Sequence, residues 1–86
     1  MKNTFSANMT KKVERKGFFV ENLGFRLVAK NKKGAIRFYV CESKYNAHIE
    51  GPDSDHFNFP ISGYARFDEI LTDAVLSLNT GRAVFS

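Results

Sequence analysis

Phe25-Arg26-Leu27-Val28-Ala29-Lys30-Asn31-Lys32-Lys33-Gly34-Ala35-Ile36-Arg37-Phe38-Tyr39-Val40 contains two alternating runs around a loop that opens with Asn and closes with Gly. Successive side chains of a strand point to opposite faces. Two such runs joined by a short Gly-containing loop predict a β-hairpin. Register then decides which residues share a face. A four-residue loop sets Lys30 opposite Ala35, Ala29 opposite Ile36, Leu27 opposite Phe38 and Phe25 opposite Val40, an apolar face. The other face carries Lys30, Arg37 opposite Val28, and Tyr39 opposite Arg26. A three-residue loop with a Gly bulge would shift the register by one and mix the faces. Burial of one coherent apolar face selects the four-residue loop.

Outward from the hairpin, Phe18-Phe19-Val20 forms a short apolar run, and Gly24 marks a turn or bulge. On the far side Tyr45 to Glu50 alternates again, with Ala47 and Ile49 on one side and Asn46, His48 and Glu50 on the other. Gly51-Pro52-Asp53-Ser54-Asp55 is dense in turn formers. Phe57, Phe59 and Ile61 then repeat with period two, and Pro60, which cannot donate to a ladder, limits this strand to an edge or a short stretch. Phe67, Ile70, Leu71, Ala74, Val75 and Leu78 follow helical spacing. Asp68 and Glu69 favour the positive end of that helix, and Gly81 ends it. Val84 and Phe85 add a short strand or a packed tail. The expected architecture is α+β. It is an antiparallel meander of four or five strands with one C-terminal amphipathic helix on one face, in two layers. Residues 17–86 form that single domain. Residues 1–16 are a basic N-terminal arm or a short helix, with Met9 and Val13 on one side and Asn8 or Thr10 as cap.

The 86 residues carry a net charge of +4, unevenly divided. Met1 to Lys44 holds eleven Lys and Arg against three acids, whereas Tyr45 to Ser86 holds two bases against six acids. A +8 half points to an acidic partner, either nucleic acid or an acidic protein surface. Cys41 is the lone cysteine and cannot form an intrachain disulfide, which fits a reducing cytoplasm. No run resembles a signal peptide or a membrane span, so no membrane partner is expected.

Two groups of residues are candidates for contact with nucleic acid or an acidic partner. Arg26, Lys30, Arg37 and Tyr39 on the outer hairpin face, with Lys32 and Lys33 at its tip, combine cations for phosphates with an aromatic surface for an unpaired base. A two-stranded ribbon also fits a DNA major groove. The plain alternative is a solvated face whose lysines keep the protein soluble. Lys11, Lys12, Arg15 and Lys16 form a second basic group that could track a phosphate backbone, or serve as a soluble tail. Cys41, His48, Asp53, Asp55 and His56 match no spacing for an activated thiol, zinc or calcium, so no catalytic, metal or cofactor site is expected. Phe57 or Tyr64, if exposed, would anchor a protein interface, and Asp68, Glu69 and Asp73 would present an acidic helix face.

The expected function is a non-enzymatic module that contacts nucleic acid through the basic hairpin face. The competing expectation is a protein-binding inhibitor or adaptor acting on a larger nucleic-acid-handling protein, by analogy of size and charge with phage inhibitors of defence systems. An exposed edge strand near Pro60 or at the C-terminal tail leaves a homodimer open.

Overall fold

The structure, a computed structural model, describes residues 4–53 and 57–84. Strands β1 (Phe19–Asn22), β2 (Arg26–Asn31), β3 (Gly34–Cys41), β4 (Lys44–Glu50) and β5 (Asn58–Tyr64) form one sheet in sequence order. Every neighbouring pair is antiparallel. Helices α1 (Ala7–Glu14) and α2 (Phe67–Thr80) complete an α+β fold of two layers.

The central hairpin takes the register that buries a coherent face. Lys30 pairs with Ala35, Ala29 with Ile36, Leu27 with Phe38, Val28 with Arg37 and Arg26 with Tyr39. Lys32 and Lys33 form the tip, where the Asn31 side chain accepts from the Lys33 N–H at 2.8 Å. This Asx turn is the local chemistry that lets Asn open the loop. Leu27, Ala29, Ile36 and Phe38 are fully buried or nearly so, with Ala47, Ile49 and Ile61 continuing the face across β4 and β5.

Phe25 departs from the expected pattern. The ladder ends at Arg26–Tyr39, so Phe25 does not pair with Val40 and is 64% exposed. It lies in the β1–β2 turn, just ahead of the first rung of β2, so the ladder does not fix its side chain on the buried face.

A five-stranded sheet spans about 19 Å between its outermost strand axes, while a helix is about 10 Å wide. Two helices are therefore needed side by side. α2 packs over β3, β4 and β5, and α1 over β1 and β2. α1 begins at Ser6, whose side chain accepts from the Met9 N–H at 3.2 Å. The cap is thus Ser6 and not Asn8 or Thr10. Val13 of this helix reaches the core, where it is completely buried. Phe5 joins the same cluster, and its N–H donates to the Gly24 carbonyl at 2.7 Å. α2 ends at Gly81, whose N–H donates to the Ser77 carbonyl at 2.8 Å. Beyond it, the Val84 N–H donates to Ser77 Oγ at 3.0 Å, so the tail packs without forming a strand over the described residues. Phe85 lies outside them.

Among the described residues, the register of the sheet shifts where β5 meets β4. Tyr45 pairs with Tyr64 but Ala47 with Ile61, so β5 carries an extra residue there. Gly63 takes φ +82° in this bulge, and its N–H donates to the buried Asn46 side chain at 3.1 Å. The bulge turns Tyr64 inward, where its hydroxyl donates to Asp73 Oδ2 on α2 at 2.6 Å. Burial, then that hydrogen bond, then the negative charges of Asp73 and Glu69 push the Tyr64 phenol well above its ordinary value of 10.0.

Two turns make opposite demands. Gly34, at φ +141°, lies against β4, where an added Cβ would stand 2.0 Å from the Glu50 carbonyl oxygen. Gly34→Ala is expected to lower the free energy of unfolding by at least about 2 kcal/mol, measured as a fall in urea midpoint. Glu42 and Ser43 join β3 to β4 with φ of 53° and 62°, both left-handed without glycine. Such a two-residue turn favours Gly at its second position. Ser43→Gly is expected to raise stability by about 0.5–1 kcal/mol, measured in the same titration.

Candidate nucleic-acid interface

Both helices cover the same side of the sheet, which leaves its other face open. Residues paired across an antiparallel ladder share a face. The rung Phe19–Lys30–Ala35–Glu50 therefore lies on the open side. So do Glu21–Val28–Arg37–His48 and Arg26–Tyr39–Asn46. Arg26, Lys30, Arg37 and Tyr39 are thereby brought to one face, and Lys32 is exposed at the hairpin tip.

The cations on this face are not equivalent. Arg37 Nη1 donates to Glu50 Oε2 at 2.9 Å, an ion pair that neutralises the centre of the face. Arg26 and Lys30 make no ion pair among the described residues. Lys33 turns away from the open face, and its Nζ donates to Asn79 Oδ1 at 3.1 Å at the end of α2. Lys30, Lys32 and Arg37 help line an open hollow of about 330 Å³ that also holds Glu50 and Asp53.

The second basic group lies elsewhere. Lys11 and Lys12 are on α1, with Arg15 and Lys16 just past it, in the helical layer. Lys12 Nζ meets Asp68 Oδ1 at 2.8 Å and ties α1 to the start of α2. Lys12, Arg15 and Lys16 flank a groove of about 360 Å³ with Asp68, Leu71 and Thr72. The ten candidate residues thus divide between two layers and do not form a single surface.

The acidic side of α2 is not a free face. Asp73 is buried against Tyr64, and Asp68 is engaged by Lys12. Tyr64 is likewise buried, and Phe57 is half-buried and stacked on Phe59 with ring centroids 5.7 Å apart. Neither is the exposed anchor considered from the sequence. Cys41 is exposed and pairs with Lys44, four ladder positions from the Arg37–His48 rung, so roughly 13 Å of strand separates its rung from that of His48. Asp55 and His56 lie outside the described residues. Among the described residues no three His, Cys, Asp or Glu side chains gather as a metal site would require. No helix there is long and apolar enough to cross a membrane.

Two aromatic side chains on or beside the open face were not among the candidates. Phe19 is 86% exposed, on the same rung as Lys30. Phe25 carries the Arg26 guanidinium 5.9 Å from its ring centroid. The signal for Phe19 was available. In the run Phe18-Phe19-Val20, strand alternation sends the flanking residues to one face and Phe19 to the other. The structure buries Phe18 and half-buries Val20. No family model, curated protein or solved structure matches the chain.

The Lys12 hydrogen bond, helped by the charges of Lys12 and Arg66, holds the Asp68 carboxyl below its ordinary value of 3.8 despite an opposing desolvation effect. A carboxyl lowered in the folded state stabilises the fold above its ordinary value. That contribution is lost as pH falls through the lowered value. Asp68→Asn is therefore expected to unfold at lower urea than the parent chain at pH 7. The two midpoints should converge from about pH 4 downward, and 1 M salt should narrow the gap at pH 7.

Proposed function

We propose that the protein is a small non-enzymatic binding module that contacts nucleic acid through the uncovered face of its sheet. The observation that carries this reading is the placement of Arg26 and Lys30 on the sheet face that neither helix covers, with Lys32 exposed at the adjoining hairpin tip. Arg26 and Lys30 stand four residues apart on β2, about 13 Å, which spaces positive charge along an extended surface as a phosphate chain requires.

The alternative is a protein-binding inhibitor or adaptor acting on a larger nucleic-acid-handling protein. It draws on Leu23 and Phe25, which are apolar and exposed at the β1–β2 turn, and on the loss of Arg37 to Glu50. A pull-down from nuclease-treated lysate separates the two. Partners that survive nuclease favour the inhibitor, and partners lost with it favour nucleic acid.

The direct test is fluorescence anisotropy with labelled oligonucleotides across a salt series. Affinity should fall with added salt, with a log–log slope of about −2 for three phosphate contacts to a single strand. Arg26→Gln and Lys30→Gln should each reduce the slope by roughly 0.7. Glu50→Gln should raise affinity, because it releases Arg37 from its ion pair. No binding at low salt would remove the reading.

A further inference from the structure

We propose that the ligand is a single-stranded nucleic acid, with one base stacked on Phe19 and the adjoining phosphates held by Lys30 and Lys32. This rests on the nucleic-acid reading above and specifies the form of nucleic acid recognised.

Duplex DNA fits this face poorly. A ribbon that enters a major groove must be narrow, since the groove is about 12 Å wide. Here β2 and β3 are flanked by β1 and β4 in a sheet about 19 Å across, so only the Lys32-Lys33 tip could enter. A duplex also hides the faces of its bases inside the stack and offers an exposed phenyl ring nothing to stack against.

An unpaired strand offers both phosphates and base faces. Phe19 presents 86% of its surface to solvent directly beside Lys30. It also borders an open hollow of about 340 Å³ formed with Gly17, Asn31, Lys32 and Lys33. Lys32 lines both that hollow and the one containing Lys30 and Arg37. The hairpin tip therefore has an aromatic wall on one side and cations on the other, matching the base and the phosphate of one nucleotide. Farther along the face, Tyr39 beside Arg26 supplies a second flat surface. Tyr39 lies two strands and four residues from Phe19, roughly 16 Å, which limits the span to about five nucleotides at the stacked rise of 3.4 Å.

The experiment compares labelled 12-nucleotide single-stranded DNA, single-stranded RNA and a 12-base-pair duplex by anisotropy. It uses the parent chain, Phe19→Ala and Phe19→Trp, each checked for folding by circular dichroism. Single strands should bind at least tenfold more tightly than duplex. Phe19→Ala should weaken single-strand binding by about 5- to 150-fold, the range for loss of one stacked base, and leave duplex binding unchanged. Phe19→Trp should restore affinity, and its fluorescence should be quenched by single strands but not by duplex. The DNA and RNA arms identify which strand is preferred. If the parent chain binds duplex as well as single strands and Phe19→Ala changes neither, this inference falls and the nucleic-acid reading stands. If no oligonucleotide binds, the nucleic-acid reading falls and this inference with it. If Phe19→Ala abolishes self-association in sedimentation without changing single-strand affinity, Phe19 belongs to a contact between copies and the inference is overturned.

Discussion

Phe67 holds the two layers together. As the first residue of α2, it packs on Phe38 of β3 at 5.2 Å between ring centroids, on Tyr45 of β4 at 5.7 Å, and on Phe5 ahead of α1 at 5.9 Å. Three regions distant in sequence, the residue ahead of α1, the β3–β4 hairpin and the start of α2, thus share one aromatic cluster. Such ring pairs contribute about 0.5–1.5 kcal/mol each beyond the area they bury. In a chain of 86 residues, where the core is small, a few large rings in contact replace many aliphatic contacts. The cluster also fixes the geometry of everything else. It seats both helices on the same side of the sheet, and that one-sided covering is what leaves Phe19, Arg26, Lys30 and Tyr39 uncovered.

The division of charge along the sequence does not become a simple division in space. The basic first half supplies α1, which joins the helical layer, as well as β2 and β3. Its cations consequently meet different fates. Lys12 links the two helices, Lys33 reaches Asn79, and Arg37 pairs with Glu50. What remains on the open face is a short row of cations interleaved with aromatic rings, and Glu21 lies among them. The total of positive charge overstates the cationic platform. The arrangement of aromatic and cationic side chains describes it better.

The central hairpin and α2 could be read from local pattern alone, because each buries a face whose period matches its geometry. The choice between loop lengths at Asn31–Gly34 was settled by the Leu27–Phe38 face, since only one register keeps that face apolar. Other features depended on contacts between distant segments. Thr4, Ser6, Asn8 and Thr10 are all chemically competent caps, and local pattern does not distinguish Ser6, whose side chain accepts from the Met9 N–H, from the others. Phe5 stands alone in a polar stretch, with nothing nearby to mark it as buried. The Ser62-Gly63 bulge and the Tyr64–Asp73 bond arise from the meeting of β5, β4 and α2. On the candidate face, Arg26, Lys30 and Tyr39 followed from alternation. The capture of Arg37 by Glu50 did not, because it joins strands whose relative register the sequence left open.

The two rims of the sheet differ in chemistry. β5 carries Pro60, which has no N–H, and the Gly63 bulge, and both interrupt a continuous row of donors and acceptors. β1 has neither, so among the described residues its rim is the more receptive to another strand. Two copies meeting there would use up both receptive rims and present two proline-bearing ones. Strand-by-strand growth would then terminate at a closed pair, and an open-ended fibril would have no rim on which to propagate.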